Sequence, residues 1–212
     1  GFHTTFDSAT DFLQFSEYNT VGDVEVFGAE AHFRDVGGRL SVAETIDASR
    51  DLMYLAMEAA EFPLRSQFVY AGRIYLNESC AGAVFLKTVP CSGATCGQYN
   101  LRLCTDRTLL LRANGMVWDE LEAENQARAE GWWNFKIKVV VLDARTYIQT
   151  KIWGETAEPS TWGFKVSDDD SEHLQGGFVG VSSSAAWNSF DDLRVEVCGF
   201  VETSVMVGGQ SL

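Results

Sequence analysis

Three glutamates alternate with apolar residues in the segment ELEAE, residues 120–124. On a β-strand, alternate side chains point to one face, and two carboxyl groups about 5–5.5 Å apart can cleave a glycosidic bond with retention. The segment continues as ELEAENQARAEG, where Glu124 and Arg128 have the spacing of a helical ion pair and Gly131 would end the helix. The favoured interpretation is a solvated acidic face, and a catalytic trio is the alternative.

Other catalytic constellations are weaker still. The three histidines, His3, His32 and His173, have no serine or cysteine neighbour placed as a nucleophile pair, and no glycine-rich phosphate loop occurs. The sequence therefore predicts no catalytic residues and a protein that is not an enzyme.

One aspartate falls at a predicted core position. Asp191 alternates with Leu193 and Val195, and a carboxylate on the core face needs a partner, because an unpaired buried charge is costly. Backbone N–H groups or an arginine would satisfy it. The other interpretation is a structural calcium ion, with Asp7 and Asp192 as further oxygen ligands.

Five cysteines are present, and four of them are nested about one point. The residue numbers of Cys80 and Cys104 add to 184, and those of Cys91 and Cys96 add to 187. Opposed residues of an antiparallel hairpin have a nearly constant sum, so the sequence predicts a hairpin around residues 80–104, with Cys198 left over. Two disulfides, which would imply an oxidising environment, are one reading. Unpaired thiols, in whole or in part, and a four-cysteine zinc site are the others.

Exposed aromatic rings are the residues that would stack on sugar rings. Trp118, Trp187 and Tyr99, which lies near the hairpin tip, are the candidates for a ligand-binding role. Packing or an interface contact is the alternative role for each. Three other tryptophans fall at predicted core positions: Trp132, Trp153 and Trp162.

Period-two alternation of apolar residues recurs along the chain and positions these candidates on strands. About a dozen short strands separated by turns predict an all-β fold, an antiparallel β-sandwich or jelly roll. No linker or repeat interrupts the 212 residues, so one domain over residues 1–212 is predicted. The clearest strands are 65–76, 81–89, 98–103, 132–142 and 147–153.

The charge balance excludes two classes of partner. The net charge of −14 repels nucleic-acid phosphates and anionic membranes. No apolar run approaches the roughly 20 residues of a transmembrane helix. We therefore expect no nucleic acid as a partner and no membrane span.

The segment WWNFKIKVVVLDARTYIQTKIWGETAEPSTWGFKVSDDDSEHLQGGFVGVSSSAAWNSFDDLRV, residues 132–195, resembles the C-terminal half of concanavalin A-like lectin/glucanase (LamG-like) jelly-roll domains. It is most similar to those of minor tail proteins of tailed bacteriophages, which often carry "KVW…AEP..W" and "FDDLRV" nearly verbatim, where this chain has KIW, AEPSTW and FDDLRV. The first half of the chain matches more loosely. The nested cysteines are not part of the family pattern, which suggests that the 80–104 hairpin protrudes.

This resemblance implies a concanavalin A-like jelly roll and a non-enzymatic structural or adhesion role in a virion tail or another extracellular surface assembly. A glycan ligand would fit that role. No cofactor is required, and structural calcium is the option considered above. A carbohydrate-active enzyme of the glucanase class and a secreted bacterial sugar-binding module are the alternatives, since this fold hosts all three.

The C-terminal segment CGFVETSVMVGGQSL predicts an extra strand within residues 200–212, because its valines alternate with polar residues. An exposed apolar edge strand needs a cover. A neighbouring subunit could add a strand to it, or the N-terminal GFHTTF of the same chain could pair with it. The first option is favoured, and it predicts an oligomer or a larger assembly.

Overall fold

The computed structural model describes residues 2–4, 15–19, 25–26, 33–35, 40–42, 52–56, 66–77, 79–87, 97–114, 117–142, 144–170, 173–174, 176–184 and 187–200. Up to residue 66 it describes the backbone of the strands alone. Within these ranges every regular element is a β-strand. The sixteen strands are β1 (Phe2–Thr4), β2 (Phe15–Asn19), β3 (Glu25–Val26), β4 (Phe33–Asp35), β5 (Leu40–Val42), β6 (Leu52–Ala56), β7 (Ser66–Leu76), β8 (Cys80–Lys87), β9 (Gly97–Cys104), β10 (Thr108–Asn114), β11 (Val117–Glu124), β12 (Gly131–Leu142), β13 (Arg145–Trp153), β14 (Lys165–Asp168), β15 (Phe178–Ser183) and β16 (Ser189–Phe200).

The strands form two antiparallel sheets of eight strands each. Sheet A has the order β14-β13-β12-β7-β16-β5-β4, and β1 also pairs with β16. Sheet B has the order β11-β10-β9-β8-β15-β6-β2-β3. The two sheets pack face to face as a jelly-roll sandwich, which confirms the fold predicted from the sequence.

Alternation along β12 shows how the sequence creates the inner face of sheet A. Phe135, Ile137 and Val139 are fully buried in the core, whereas the lysines between them, Lys136 and Lys138, belong to the opposite face. Period two on a strand imposes this division. β12 therefore contributes an apolar wall on one side and a cationic surface on the other.

The core lies between the two inner faces. From sheet A, the rings of Tyr70 and Phe135 meet edge to face with their centroids 5.1 Å apart. Sheet B contributes Phe85 and Leu101, both fully buried. The Tyr70 hydroxyl crosses the core and donates a hydrogen bond of 2.6 Å to the carbonyl oxygen of Gly180 on β15. Burial raises the pKa of Tyr70, so this phenol is a neutral donor that links the sheets.

A β-bulge interrupts β16 and changes which side chains reach the core. Phe190 is opposite Ile74, and Asp191 is opposite Arg73, but the register shifts before Arg194. Asp192 adopts a positive φ of 52°, as expected of the extra residue in a bulge. Phe190 and Leu193 both face the core, with two residues between them instead of one.

Three predictions from the sequence have different outcomes in this fold. The helix predicted over residues 120–131 is wrong, because ELEAE is the second half of β11 and residues 125–129 are irregular. The hairpin predicted around residues 80–104 is formed by β8 and β9, in the interior of sheet B, and its tip lies outside the described residues. The extra strand predicted within residues 200–212 also lies outside them, beyond Phe200. The N-terminal β1 pairs with β16 at Leu193 to Val195.

Candidate ligand-binding surfaces

Trp187 is the most exposed large apolar side chain of the described residues, at 55%, and it has a positive φ of 66°. Its neighbour Asn188 is fully buried and fixes the turn between β15 and β16. The Asn188 amide donates to the Cys80 carbonyl at 3.2 Å and to the Ser183 hydroxyl at 3.0 Å, and its oxygen accepts from the Asn77 backbone N–H at 2.8 Å. These bonds hold the turn that presents the indole ring to solvent on a left-handed backbone, which is costly for a residue other than glycine.

Trp118, exposed by 41%, belongs to a different surface. It pairs with Ala113 on the outer face of sheet B, at one end of β10. The turn that carries Trp187 follows Ser183. The strand register across β8 and β9 places Ser183 in line with Thr108, at the other end of β10. Five residues of strand span about 17 Å. The two predicted tryptophans therefore do not form one sugar platform.

A buried polar row adjoins Trp118 on this outer face. Ala113 separates Trp118 from Gln98, and Gln98 is 3% exposed. No donor among the described residues bonds to the Gln98 side-chain oxygen or to that of the buried Asn100, whose amide donates to Ser182 at 2.9 Å. Such orphan acceptors are uncommon in folded proteins.

Tyr99 offers no ring to a ligand, and the sequence prediction that placed it among the freer aromatic rings is wrong. It shares the inner face of sheet B with Leu101 and is fully buried, with its ring stacked on Phe85 at 5.4 Å. Its hydroxyl donates to Asp168 at 2.6 Å. Burial, together with that carboxylate, raises the pKa of Tyr99.

A buried ion cluster closes one side of the sandwich. The Arg112 side chain, 9% exposed, lies 2.9 Å from Asp119, 2.9 Å from Asp168 and 3.0 Å from Asp170. Burial by itself lowers the pKa of Arg112, but its bonds to Asp119 and Asp170 and the charge of Asp168 outweigh burial and raise it. This Arg112 cluster, comprising Arg112, Asp119, Asp168 and Asp170, is a structural contact between sheets, because its one cation is already bound by three carboxylates.

The aspartates predicted to bind calcium have another environment. Asp191 is buried on the outer face of sheet A and not on the core face, because the bulge at Asp192 shifts the alternation. Its carboxylate lies 2.5 Å from Arg73 Nη2. Asp192 lies 3.1 Å from Arg73 Nε, which makes an ion pair, but the angle is not that of a hydrogen bond. Arg73 in turn lies over the Trp132 ring at 4.7 Å. Trp132 is therefore on the outer face, and its predicted core position is wrong.

The partner of Asp191 is thus an arginine, one of the two alternatives to a metal ion predicted from the sequence. Within the described ranges, no group of three His, Cys, Asp or Glu side chains is arranged to hold a metal ion. Asp7, the third predicted ligand, lies outside those ranges. The calcium site stays a prediction.

The three glutamates of ELEAE do not share one face. Glu120 is opposite Leu111, whereas Glu122 is opposite Leu110. The register shifts between these two pairs, and adjacent residues of β10 point to opposite faces. The bulge in β11 thus separates Glu120 from Glu122, and the spacing that predicted a carboxylate trio does not produce one.

The structure joins Cys80 and Cys104 in a disulfide bond, in the register that pairs β8 with β9. This is the outer of the two nested pairs. The inner pair, Cys91 and Cys96, lies outside the described residues. Cys198 is a free, exposed thiol on β16.

Lysines are concentrated on the outer face of β12 to β14, and this face is not among the sites predicted from the sequence. Of the five lysines in the chain, four lie there. Lys136 and Lys151 both bind Glu158, at 2.6 and 2.9 Å, and Lys151 also lies over the Trp162 ring at 4.9 Å. The spacing of Lys136 and Lys138 on a strongly alternating strand is the signal that could have revealed this face.

A groove crosses the same face beside the other two lysines. It encloses about 430 Å³, within the range of about 300–1,000 Å³ typical of ligand pockets. We call it the lysine groove; its outward side chains are Lys138, Val140, Tyr147, Gln149, Lys165 and Ser167.

Solved structures share this fold at low sequence identity. The carbohydrate recognition domain of Emp46p aligns with 91% of this chain and 93% of its own, at 8% identity and a TM-score of 0.60. A legume lectin-like domain from Entamoeba histolytica aligns with 93% of this chain and 97% of its own, at 9% identity and a TM-score of 0.58. A xylan β-1,4-xylosidase from Bacillus halodurans aligns with 92% of this chain and 38% of its own, at 15% identity and a TM-score of 0.53.

These similarities confirm the concanavalin A-like jelly roll. The sequence matches no protein-family model, and no curated protein matches it. Among the described residues, no helix is long and apolar enough to cross a bilayer.

Proposed function

We propose that this chain is a non-catalytic carbohydrate-recognition domain that serves adhesion or structural decoration in a virion tail or another surface assembly. The observation that carries the recognition role is Trp187. An exposed indole is unfavourable in water, and its left-handed backbone adds a further cost. Three hydrogen bonds of the Asn188 side chain hold the turn in place, which is the arrangement expected of a preorganised stacking platform.

The assembly role rests on the sequence resemblance to minor tail proteins and on the predicted strand beyond Phe200. An acidic surface also suits a protein that must stay soluble until it joins a particle. Copurification of the chain with an assembled particle would support this role. Recovery only as a free secreted protein would favour the sugar-binding module instead.

The test of recognition compares three substitutions of Trp187 on a panel of immobilised neutral glycans. Trp187→Phe keeps a ring, whereas Trp187→Ala and Trp187→Gly remove it, and glycine also removes the backbone strain. We expect wild type and Trp187→Phe to be retained by the same glycan. Both ring-free variants should lose roughly thirtyfold in affinity, as for a tryptophan that contributes about 2 kcal/mol at an interface.

Two outcomes count against recognition at this turn. One is retention of no neutral glycan by the wild type. The other is equal retention by Trp187→Ala. The panel includes Trp118→Ala, which removes an exposed tryptophan from the other end of sheet B and should leave retention at the Trp187 turn unchanged.

A glucanase-class activity is the second candidate, because the xylosidase shares the fold. The separation of Glu120 from Glu122 disfavours it. We expect no release of reducing sugar from glucans or xylans by the wild type, and no effect of Glu120→Gln or Glu122→Gln. Turnover by the wild type that either variant abolishes would place the enzyme ahead of the lectin.

A further inference from the structure

Two of the four lysines on the outer face of sheet A have no carboxylate partner among the residues that the structure describes. Glu158 binds Lys136 and Lys151. Within the described part of the chain, no carboxylate lies within 4.0 Å of Lys138 or Lys165. In a protein of net charge −14, two unpaired ammonium groups beside one groove form a local reversal of the surface charge.

The strand register places these two groups on either side of one polar side chain. Lys138 is opposite Gln149 on β13, and Gln149 is opposite Lys165 on β14. Neighbouring strands are about 4.8 Å apart, so the backbones that carry the two lysines are about 10 Å apart. A ligand lying over Gln149 meets an amide below it and an ammonium group on each side.

The next row of the groove is aromatic. Tyr147 lies between Val140 and Ser167, about 7 Å along β13 from Gln149, and it is exposed by 38%. The Arg145 guanidinium donates a hydrogen bond to the Tyr147 hydroxyl at 3.3 Å and lies 5.8 Å from its ring centroid. A third cation therefore borders the groove, and a ring face and a serine hydroxyl lie between the cations.

We propose that the lysine groove binds a carboxylate-bearing sugar, a uronate-type residue within an acidic glycan. The lysines supply charge-assisted hydrogen bonds to a carboxylate. Tyr147 supplies an apolar surface for a sugar ring, and Gln149 and Ser167 supply hydrogen bonds for its hydroxyl groups. An acidic peptide would use the cations, and its backbone would bond to Gln149 and Ser167, but it has no sugar ring to lie on Tyr147.

The overall charge sets the length of ligand that fits. A long polyanion would extend over an acidic surface and be repelled. At physiological ionic strength, exposed charges are screened beyond about 8 Å, so a short ligand responds mainly to the groove. We therefore expect short oligouronates to bind, with an affinity that falls as salt is added. This inference deepens the proposed glycan recognition, but the lysine groove on sheet A is a different surface from the Trp187 turn between β15 and β16.

The test uses titration calorimetry with tetragalacturonate at low salt, in the presence of EDTA so that calcium does not bridge the ligand. Lys138→Gln/Lys165→Gln removes the two unpaired cations. Lys136→Gln/Arg107→Gln is the matched control, because it also removes two charges but takes them from cations that already have carboxylate partners. We expect the first variant to lose at least about tenfold in affinity, the equivalent of one charge-assisted hydrogen bond, and the control to lose less than about threefold.

Two further ligands identify the chemistry that is recognised. Maltotetraose, a neutral tetrasaccharide, should not bind the groove. Tetraglutamate should bind more weakly than tetragalacturonate, and Tyr147→Ser should weaken the sugar more than the peptide. Absence of tetragalacturonate binding by the wild type overturns the inference, as does an equal loss in both double variants. Tighter binding of tetraglutamate would assign the groove to an acidic protein segment instead.

The outcomes separate this inference from the proposed role of Trp187. If Trp187→Ala loses the neutral glycan and tetragalacturonate does not bind, recognition stands and the groove assignment fails. If no neutral glycan binds but Lys138→Gln/Lys165→Gln weakens tetragalacturonate, the groove stands and the Trp187 site fails.

Discussion

Arg112 Nη1 lies 2.9 Å from Asp168 Oδ1, and this ion pair joins β10 of one sheet to β14 of the other. The same carboxylate accepts a hydrogen bond of 2.6 Å from Tyr99. Three side chains from three strands therefore meet at one side of the sandwich. Because Asp168 is buried, removing Arg112 leaves a buried carboxylate without its cation, whereas removing Asp168 leaves Arg112 paired with Asp119 and Asp170.

Removal of the cation should be costly. We expect Arg112→Met to lower the free energy of unfolding by about 3–5 kcal/mol, because Asp168 then stays buried without its partner. Arg112→Met/Asp168→Asn should cost less than the sum of the two single changes. The measurement is urea denaturation at neutral pH. The control is Arg107→Met, because Arg107 forms an exposed pair with Asp106, and its expected effect on the free energy of unfolding is below about 1 kcal/mol. If Arg112→Met lowers the free energy of unfolding by less than about 1 kcal/mol, the cluster does not hold the sheets together.

The lysine pair around Glu158 should make stability depend on pH. Hydrogen bonds from Lys136 and Lys151 lower the pKa of Glu158 from its ordinary value of 4.5. A depressed folded-state pKa contributes stability above the unfolded-state value and loses it as pH falls through the folded-state value. Glu158→Gln should therefore melt at a lower temperature than the wild type above about pH 5.

The difference in melting temperature between the two proteins should shrink on acidification below about pH 4.5 and vanish once Glu158 is protonated in the folded state. Thermal denaturation of both proteins from pH 3 to pH 7 measures it. A difference that is constant over this range would mean that Glu158 acts through packing and not through its charge.

The fold was predictable where alternation and turns alone specify it. β12 and β13 follow from strict period two on either side of a short turn, and the pairing of β8 with β9 follows from the constant sum of residue numbers. The bulges at Leu121 and Asp192 were not predictable, because alternation contains no signal for an extra residue. Each bulge moved a candidate: one separated Glu120 from Glu122, and the other turned Asp191 away from the core.

Contacts between distant strands were the other limit. Arg112 and Asp168 are 56 residues apart, and only the order of the strands in the two sheets brings them together. The same order aligns Lys138 with Lys165 across β13. Tyr99 was misassigned because its position near the hairpin tip suggested exposure, although its parity with Leu101 indicated the core.

The disulfide of the β8–β9 hairpin should contribute to stability. Cys80→Ala/Cys104→Ala should lower the free energy of unfolding by roughly 3–4 kcal/mol in the chain-entropy description of a loop of this length. Cys198→Ala should have no such effect, since that thiol is free and exposed. Peptide mapping without reductant should recover Cys80 with Cys104, and also Cys91 with Cys96 if both nested bonds form. Recovery of Cys80 joined to Cys91 would contradict the register of the hairpin.

The contact between Gly72 and Leu193 depends on the bulge in β16. A β-carbon added at Gly72 would lie 2.6 Å from Leu193 Cδ2 and 3.1 Å from the Phe135 ring, and both neighbours belong to the packed core. Gly72→Ala should therefore lower the free energy of unfolding by about 1–3 kcal/mol through overpacking. Gly154→Ala is the matched control, because its added carbon would come no closer than 3.7 Å, to Trp133, and it should be near neutral.

Denaturation of the two alanine variants in urea measures this difference directly. Gly72→Ala/Leu193→Ala should unfold at a lower urea concentration than the wild type. However, Gly72→Ala should lower the free energy of unfolding less in the Leu193→Ala background than beside the native leucine, because the shorter side chain removes the closest contact. An equal cost of Gly72→Ala in both backgrounds would mean that Leu193 does not lie over Gly72. The bulge at Asp192 would then be misplaced, and with it the outward position of Asp191.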